Sequence, residues 1–130
     1  MRRRCAQEED GSAVAEFVFV GAMLTILMMS VVQLALALHV RNTVLDAASE
    51  GARYAALADN DLADGVGRTR DLIATALGPD YARSVTAEYG TYLDAPASIV
   101  TVRTPLPLLG LIGITDGLEV SGHAAVETLE

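Results

Sequence analysis

The chain has 130 residues, a formal net charge of −8 and a single cysteine, Cys5. So acidic a chain does not neutralise phosphates, which excludes nucleic acid as a partner, and one cysteine excludes an intrachain disulfide or a cysteine-rich zinc site. Aromatic residues make up 5% and Trp is missing, so any core must be light, built from Val, Leu, Ile and Ala.

The chain opens with Arg2, Arg3 and Arg4, followed by Glu8, Glu9, Asp10, Gly11 and Ser12. Glu16 then stands at the head of a run from Phe17 to Val40 that contains no Asp, Glu, Lys or Arg. At about 24 residues the run is roughly 36 Å long as a helix, enough to cross a bilayer. Only Arg41 carries positive charge just beyond it. The excess of Arg at the start predicts an N-terminus in the cytoplasm and the rest of the chain outside. A secretory signal cut after Ala37, in "LALALHV", is the rival, but the run is long for a signal h-region and Glu16 is out of place at its head.

From Asn42 the pattern stays helical and becomes rich in small residues. Ala47, Gly51 and Ala55 lie on one line, and Ala48, Ala52 and Ala56 on the next, predicting a smooth ridge that another backbone can approach. A plain Ala-rich helix is the simpler alternative, but Gly51 lowers helix propensity and has no place in it. "DNDLADG", from Asp59 to Gly65, breaks the helix and supplies caps for a second one. That helix has apolar positions at Leu62, Val66, Leu72, Ile73, Ala76 and Leu77, and Gly78-Pro79 ends it.

Three strands follow. "SVTAEYGTYL" alternates Val85, Ala87 and Tyr89 against Thr86, Glu88 and Tyr92; "DAPA" reads as the turn, and "SIVTVRT" as a second strand. "PLPLLGLIGITDG" reads as an irregular apolar loop. "LEVSGHAAVETLE" alternates Leu118, Val120, Ala124 and Val126 against Glu119, His123 and Glu127. The expectation is an α+β fold: a long N-terminal transmembrane helix continuing into a small domain with a second helix and a three-stranded antiparallel sheet. The predicted boundaries are 1–11 for a leader, 12–58 for the long helix with its membrane part at about 17–40, and 59–130 for the outer domain.

Catalytic patterns are missing. His39 and His123 have no spaced partners, no serine sits in a Gly-x-Ser-x-Gly frame, and "GVG" at Gly65 follows no strand. Neither a metal, a cofactor nor a small-molecule substrate is expected, and the chain does not read as an enzyme.

The arrangement of a basic leader, Gly11, then Ser12, Glu16 and Phe17 and an unbroken apolar helix resembles the class III signal of type IV pilins. With "AASEGARYAA" from Ala47 to Ala56 and the strand-rich tail containing "TVRTPLPLLG", it resembles more specifically the TadE-like minor pilins, or pseudopilins, of tight-adherence (Flp pilus) systems. The resemblance implies cleavage by a prepilin peptidase between Gly11 and Ser12. It implies pairing of the Glu16 carboxylate with the Ser12 amine of a neighbouring subunit, at the cytoplasmic membrane or in a surface pilus. The implied partners are the membrane, the peptidase, and other Tad pilins and pilus assembly proteins. Members of such families often carry Pro in the apolar run; here Gly21 is near that place. The alternatives are an unprocessed, membrane-anchored cell-envelope binding or adaptor domain, and a protein released after Ala37.

Overall fold

The computed structural model describes residues 5–106 and 114–126. The Arg2–Arg4 cluster, positions 107–113 of the apolar loop, and Glu127 lie outside the described residues. The chain divides into two compact units, Met1–Ala35 and Leu36–Glu130. The order of elements is α1 (Cys5–Ala56), α2 (Leu62–Ala76), a 3-10 turn (Pro79–Ala82), β1 (Ser84–Tyr92), β2 (Ala95–Leu106) and β3 (Ile114–Ala125). This is the α+β arrangement of one long helix, a second helix and a three-stranded antiparallel sheet.

In the first unit α1 is the only element among the described residues. From Gly11 to Ala35 its side chains are exposed, Phe17 by 80%, except Gln33, which is half-buried. In the second unit the same helix becomes amphipathic. Val40, Val44, Ala47, Ala48, Ala52, Ala55 and Ala56 are buried and share the core with Ile73 of α2 and Val85, Val100, Val102 and Val120 of the sheet. Val40, the last residue of the apolar run, is 2% exposed and belongs to this core rather than to a lipid-facing surface. The helix ends where Asn60 Nδ2 donates to the Tyr54 carbonyl at 2.9 Å, satisfying one of the last-turn acceptors.

A capping box starts α2. Asp64 N–H donates to Asp61 Oδ1 and Asp61 N–H to Asp64 Oδ2, each at 3.0 Å. Of the residues that sequence periodicity assigned to its apolar face, only Ile73 is fully buried; Leu62, Val66 and Leu72 are half-buried and Ala76 is exposed. The line at the interface is Gly65, Thr69 and Ile73. Thr69 escapes a hydropathy reading because it is polar, yet its hydroxyl donates to the Gly65 carbonyl at 2.9 Å and lies 3.4 Å from the Ala47 carbonyl, so its burial carries no orphaned donor.

The sheet is a meander, ordered β1-β2-β3, with both pairs antiparallel. Two expectations change here. The first turn is Leu93-Asp94, with φ of 50° and 62°, and Ala95, Pro96 and Ala97 are already strand. Two left-handed residues closing a two-residue loop are the mark of a type I′ hairpin, which twists with its strands. The apolar loop also shrinks: Pro105 and Leu106 complete β2, Ile114 to Gly117 open β3, and Leu106 pairs with Ile114 across a register shift after Thr104. Pro105 has no N–H for a regular ladder, and a bulge is where a strand tolerates it.

Close backbone approach holds the second unit together. A Cβ on Gly51 would stand 1.8 Å from Thr69 Oγ1 and 2.7 Å from the Gly65 carbonyl oxygen. Replacing Gly51 with Ala is therefore expected to destabilise the unit by about 1–3 kcal/mol through overpacking. The matched control is Gly67→Ala, where an added Cβ meets nothing within 4 Å, and removal of a mid-helix glycine adds about 0.5–1 kcal/mol. Thermal unfolding of the two full-length variants in detergent checks this: the midpoint falls for Gly51→Ala and rises for Gly67→Ala.

Candidate functional site

The residues singled out in the sequence fall into two groups on α1, one in each unit. Gly11, Ser12, Glu16 and Phe17 form the first and are all exposed. Gly11 and Ser12 lie inside the helix, not in a loop before it. A Cβ on Gly11 would meet nothing within 4 Å beyond the backbone of its own helix. Ser12 and Glu16, four residues apart, are neighbours on one face. Glu16 forms no ion pair among the described residues.

Beyond Glu16 the helix offers its surroundings little but hydrocarbon. Its hydroxyls turn back on the helix: Thr25 Oγ1 donates to the Gly21 carbonyl at 2.8 Å and Ser30 Oγ to the Ile26 carbonyl at 2.9 Å. Polar groups satisfied in this way need no water, as a bilayer interior demands. The helix is long and apolar enough to cross a membrane, and it fits a single-pass anchor. The helical assignment of α1 continues through Gly21 and through the Ala37–Leu38 bond.

The second group is Ala47, Gly51 and Ala55, and the structure sets all three against α2. Thr69 reaches toward the Ala47 carbonyl, Gly51 lies under Thr69 and Gly65, and a Cβ on Gly65 would meet Ala55 Cβ at 2.7 Å. The neighbouring line belongs to the sheet. Ser98 Oγ donates to the Ala52 carbonyl at 2.7 Å, and a Cβ on Gly122 would come within 2.4 Å of the Ala48 and Ser49 backbone. Gly122 and Ser98 went unnoticed in the sequence. Their only signal was a small residue interrupting an inward-facing row between Val120 and Ala124, and a polar one beside Ile99.

His39 is exposed on α1. His123 stacks on Tyr92, ring centroids 4.4 Å apart, on the outer face of the sheet. The two histidines thus lie in different settings, and among the described residues no cluster of His, Cys, Asp or Glu is arranged to hold a metal.

If the apolar run spans a membrane, a nitroxide at Met28 (as Met28→Cys, with Cys5→Ser) in liposomes should be relaxed by oxygen and shielded from a water-soluble paramagnetic reagent. The same label at Thr75 on α2 should show the reverse. A Met28 label open to the aqueous reagent would remove the membrane assignment.

Residues 11–53 match the model of the TadE-like protein family. The match covers about a third of the chain, and it takes in the first group whole and, of the second, Ala47 and Gly51. No curated protein and no solved structure matches the chain.

Proposed function

We propose, from the TadE-like character of residues 11–53, that the protein is a minor pilin or pseudopilin of a Tad-type (Flp) pilus assembly or secretion machine. It is cut after Gly11 by a prepilin peptidase, held in the cytoplasmic membrane by one span with its C-terminal domain outside, and works in pilus assembly and adhesion rather than catalysis. The observation that carries this is the extent of the family match. It begins at Gly11, passes through Glu16 and the apolar helix, and ends at Arg53, just inside the small-residue ridge.

Physical chemistry supports the roles of the individual residues. A peptidase cutting beside Gly11 needs backbone access, which a residue without a side chain favours once the helix opens there. Cleavage makes Ser12 an amine. A carboxylate and an amine at the edge of a hydrocarbon layer are each costly alone and much less so together. Glu16 has no cation among the described residues of its own chain, which leaves it available to the Ser12 amine of a neighbouring subunit.

Processing is tested with Gly11→Val. The expected product in cells with an active peptidase is a heavier, membrane-bound precursor, and N-terminal sequencing should read Ser12 for the parent protein. Normal maturation of the variant, or Met1 at the start of the parent, would favour an unprocessed membrane-anchored adaptor instead. The charge pair is tested with Glu16→Gln, which should still insert in the membrane and be cut, yet lose crosslinking to its assembly partners. A Gln variant that is cut and crosslinks as well as the parent would leave Glu16 as an interfacial acid without a pairing role.

A further inference from the structure

Two unfavourable features coincide at the tip of the β1–β2 hairpin. Leu93 holds a φ of 50°, a left-handed conformation that favours Asn, Asp or Gly, and its side chain is 83% exposed. A leucine serves neither the turn nor the solvent. Residues that break local rules in this way mark places where something other than folding is served. The tip is also braced, because the Tyr92 ring packs on His123 of β3 across the sheet. Asp94, next in the turn, adds a negative charge beside the exposed leucine.

A surface of matching chemistry exists on the same unit. Between α1 and α2 lies an open cleft of about 680 Å³ whose apolar lining is Ala47, Leu72 and Ala76 and whose cations are Arg53 and Arg68. Asp46 and Glu50 also line it. Glu50 stands 4.0 Å from Arg68, while Arg53 has no salt bridge among the described residues. An exposed leucine with an acid beside it fits a cleft that joins an apolar patch, Leu72 and Ala76, to an arginine, Arg53, outside any salt bridge among the described residues.

The tip and the cleft are different surfaces. Ser98 bonds to Ala52, and Gly122 lies against Ala48 and Ser49, so β2 runs antiparallel to α1. The hairpin tip, preceding Ser98 on β2, is therefore carried toward the C-terminal end of α1, whereas the cleft extends back from Arg53 to Thr43. A contact between unlike surfaces on identical chains does not close on itself as a two-fold dimer does; it propagates.

We propose that Leu93 and Asp94 of one copy dock into the α1–α2 cleft of the next, with Leu93 against Leu72 and Ala76 and Asp94 facing Arg53. This head-to-tail contact rests on the assembly role proposed above and names its partner as a second copy of this chain.

The test uses the full-length protein from its own cells, in detergent, with Cys5→Ser. The double variant Leu93→Cys/Ala76→Cys should give a ladder of dimers, trimers and higher species on oxidation. Mixing the two single variants should give dimers only. Dimers from Leu93→Cys alone would show a symmetric tip-to-tip contact and overturn the proposal, as would no crosslink in any mixture. Leu93→Asn separates binding from folding. Asn suits the left-handed position, so the thermal midpoint should hold or rise while self-association measured by sedimentation weakens at least tenfold. Asp94→Arg should weaken it similarly, and Arg53→Asp in the same chain should restore it. Self-association of Leu93→Asn equal to the parent would overturn the contact. N-terminal sequencing of the same preparations reads cleavage independently: a Ser12 terminus with no crosslink removes the head-to-tail contact and leaves the assembly function standing.

Discussion

The second unit depends on a helix face that has almost no side chains. Along α1, from Ala47 to Ala56, the buried positions carry nothing larger than a methyl group. Two elements therefore reach the same stretch of helix at backbone distance, α2 over Gly51 and the sheet over Ala48 and Ala52. Each partner contributes its own glycine, Gly65 or Gly122, at the point of approach. Close contact then replaces bulk. A core with few aromatics gains dispersion energy from density, and interiors packed this tightly transmit any added volume as strain.

That economy also decides which polar groups are buried. Ser98 occupies a core position because the Ala52 carbonyl of α1 accepts from it, and Thr69 because the Gly65 carbonyl of its own helix does. A hydroxyl in the core costs free energy only when it lacks a partner. Here small residues at the close approach, Ala52 on α1 and Gly65 on α2, also offer the acceptors, so small size and hydrogen bonding are met by the same residues.

One continuous helix thus serves two solvents. From Phe17 to Val32 its side chains are apolar apart from Thr25 and Ser30, whose hydroxyls fold back on carbonyls of their own helix. By Val40 the same helix is inside a protein core. The family match from residue 11 to residue 53 covers both regimes of the helix, and neither α2 nor the sheet. The part that resembles other proteins is the helix on which everything else is mounted. The unmatched part supplies α2, the sheet and the hairpin with its exposed leucine.

The amino-acid order by itself determined the long helix, the break at Asp59 to Asp61, the second helix and the three alternating strands. Each is written in a local signal: an uncharged run, a capping box, a period of two. It also brought out Gly11, Ser12, Glu16 and Phe17, because a lone acid beside hydrocarbon is visible without coordinates. The ridge of Ala47, Gly51 and Ala55 was visible as spacing, but spacing does not say what lies across it. Only the tertiary structure assigned that line to α2 and the next one to the sheet, because the choice depends on contacts between residues far apart in the chain. Thr69, Ser98 and Gly122 were hidden for the same reason: a polar or small residue reads as surface until a distant carbonyl or backbone is placed against it. The turn at Leu93-Asp94 was misread as "DAPA" because Leu93 is atypical for a left-handed position. Strand register, fixed by pairing along the whole hairpin, overrode the local preference there.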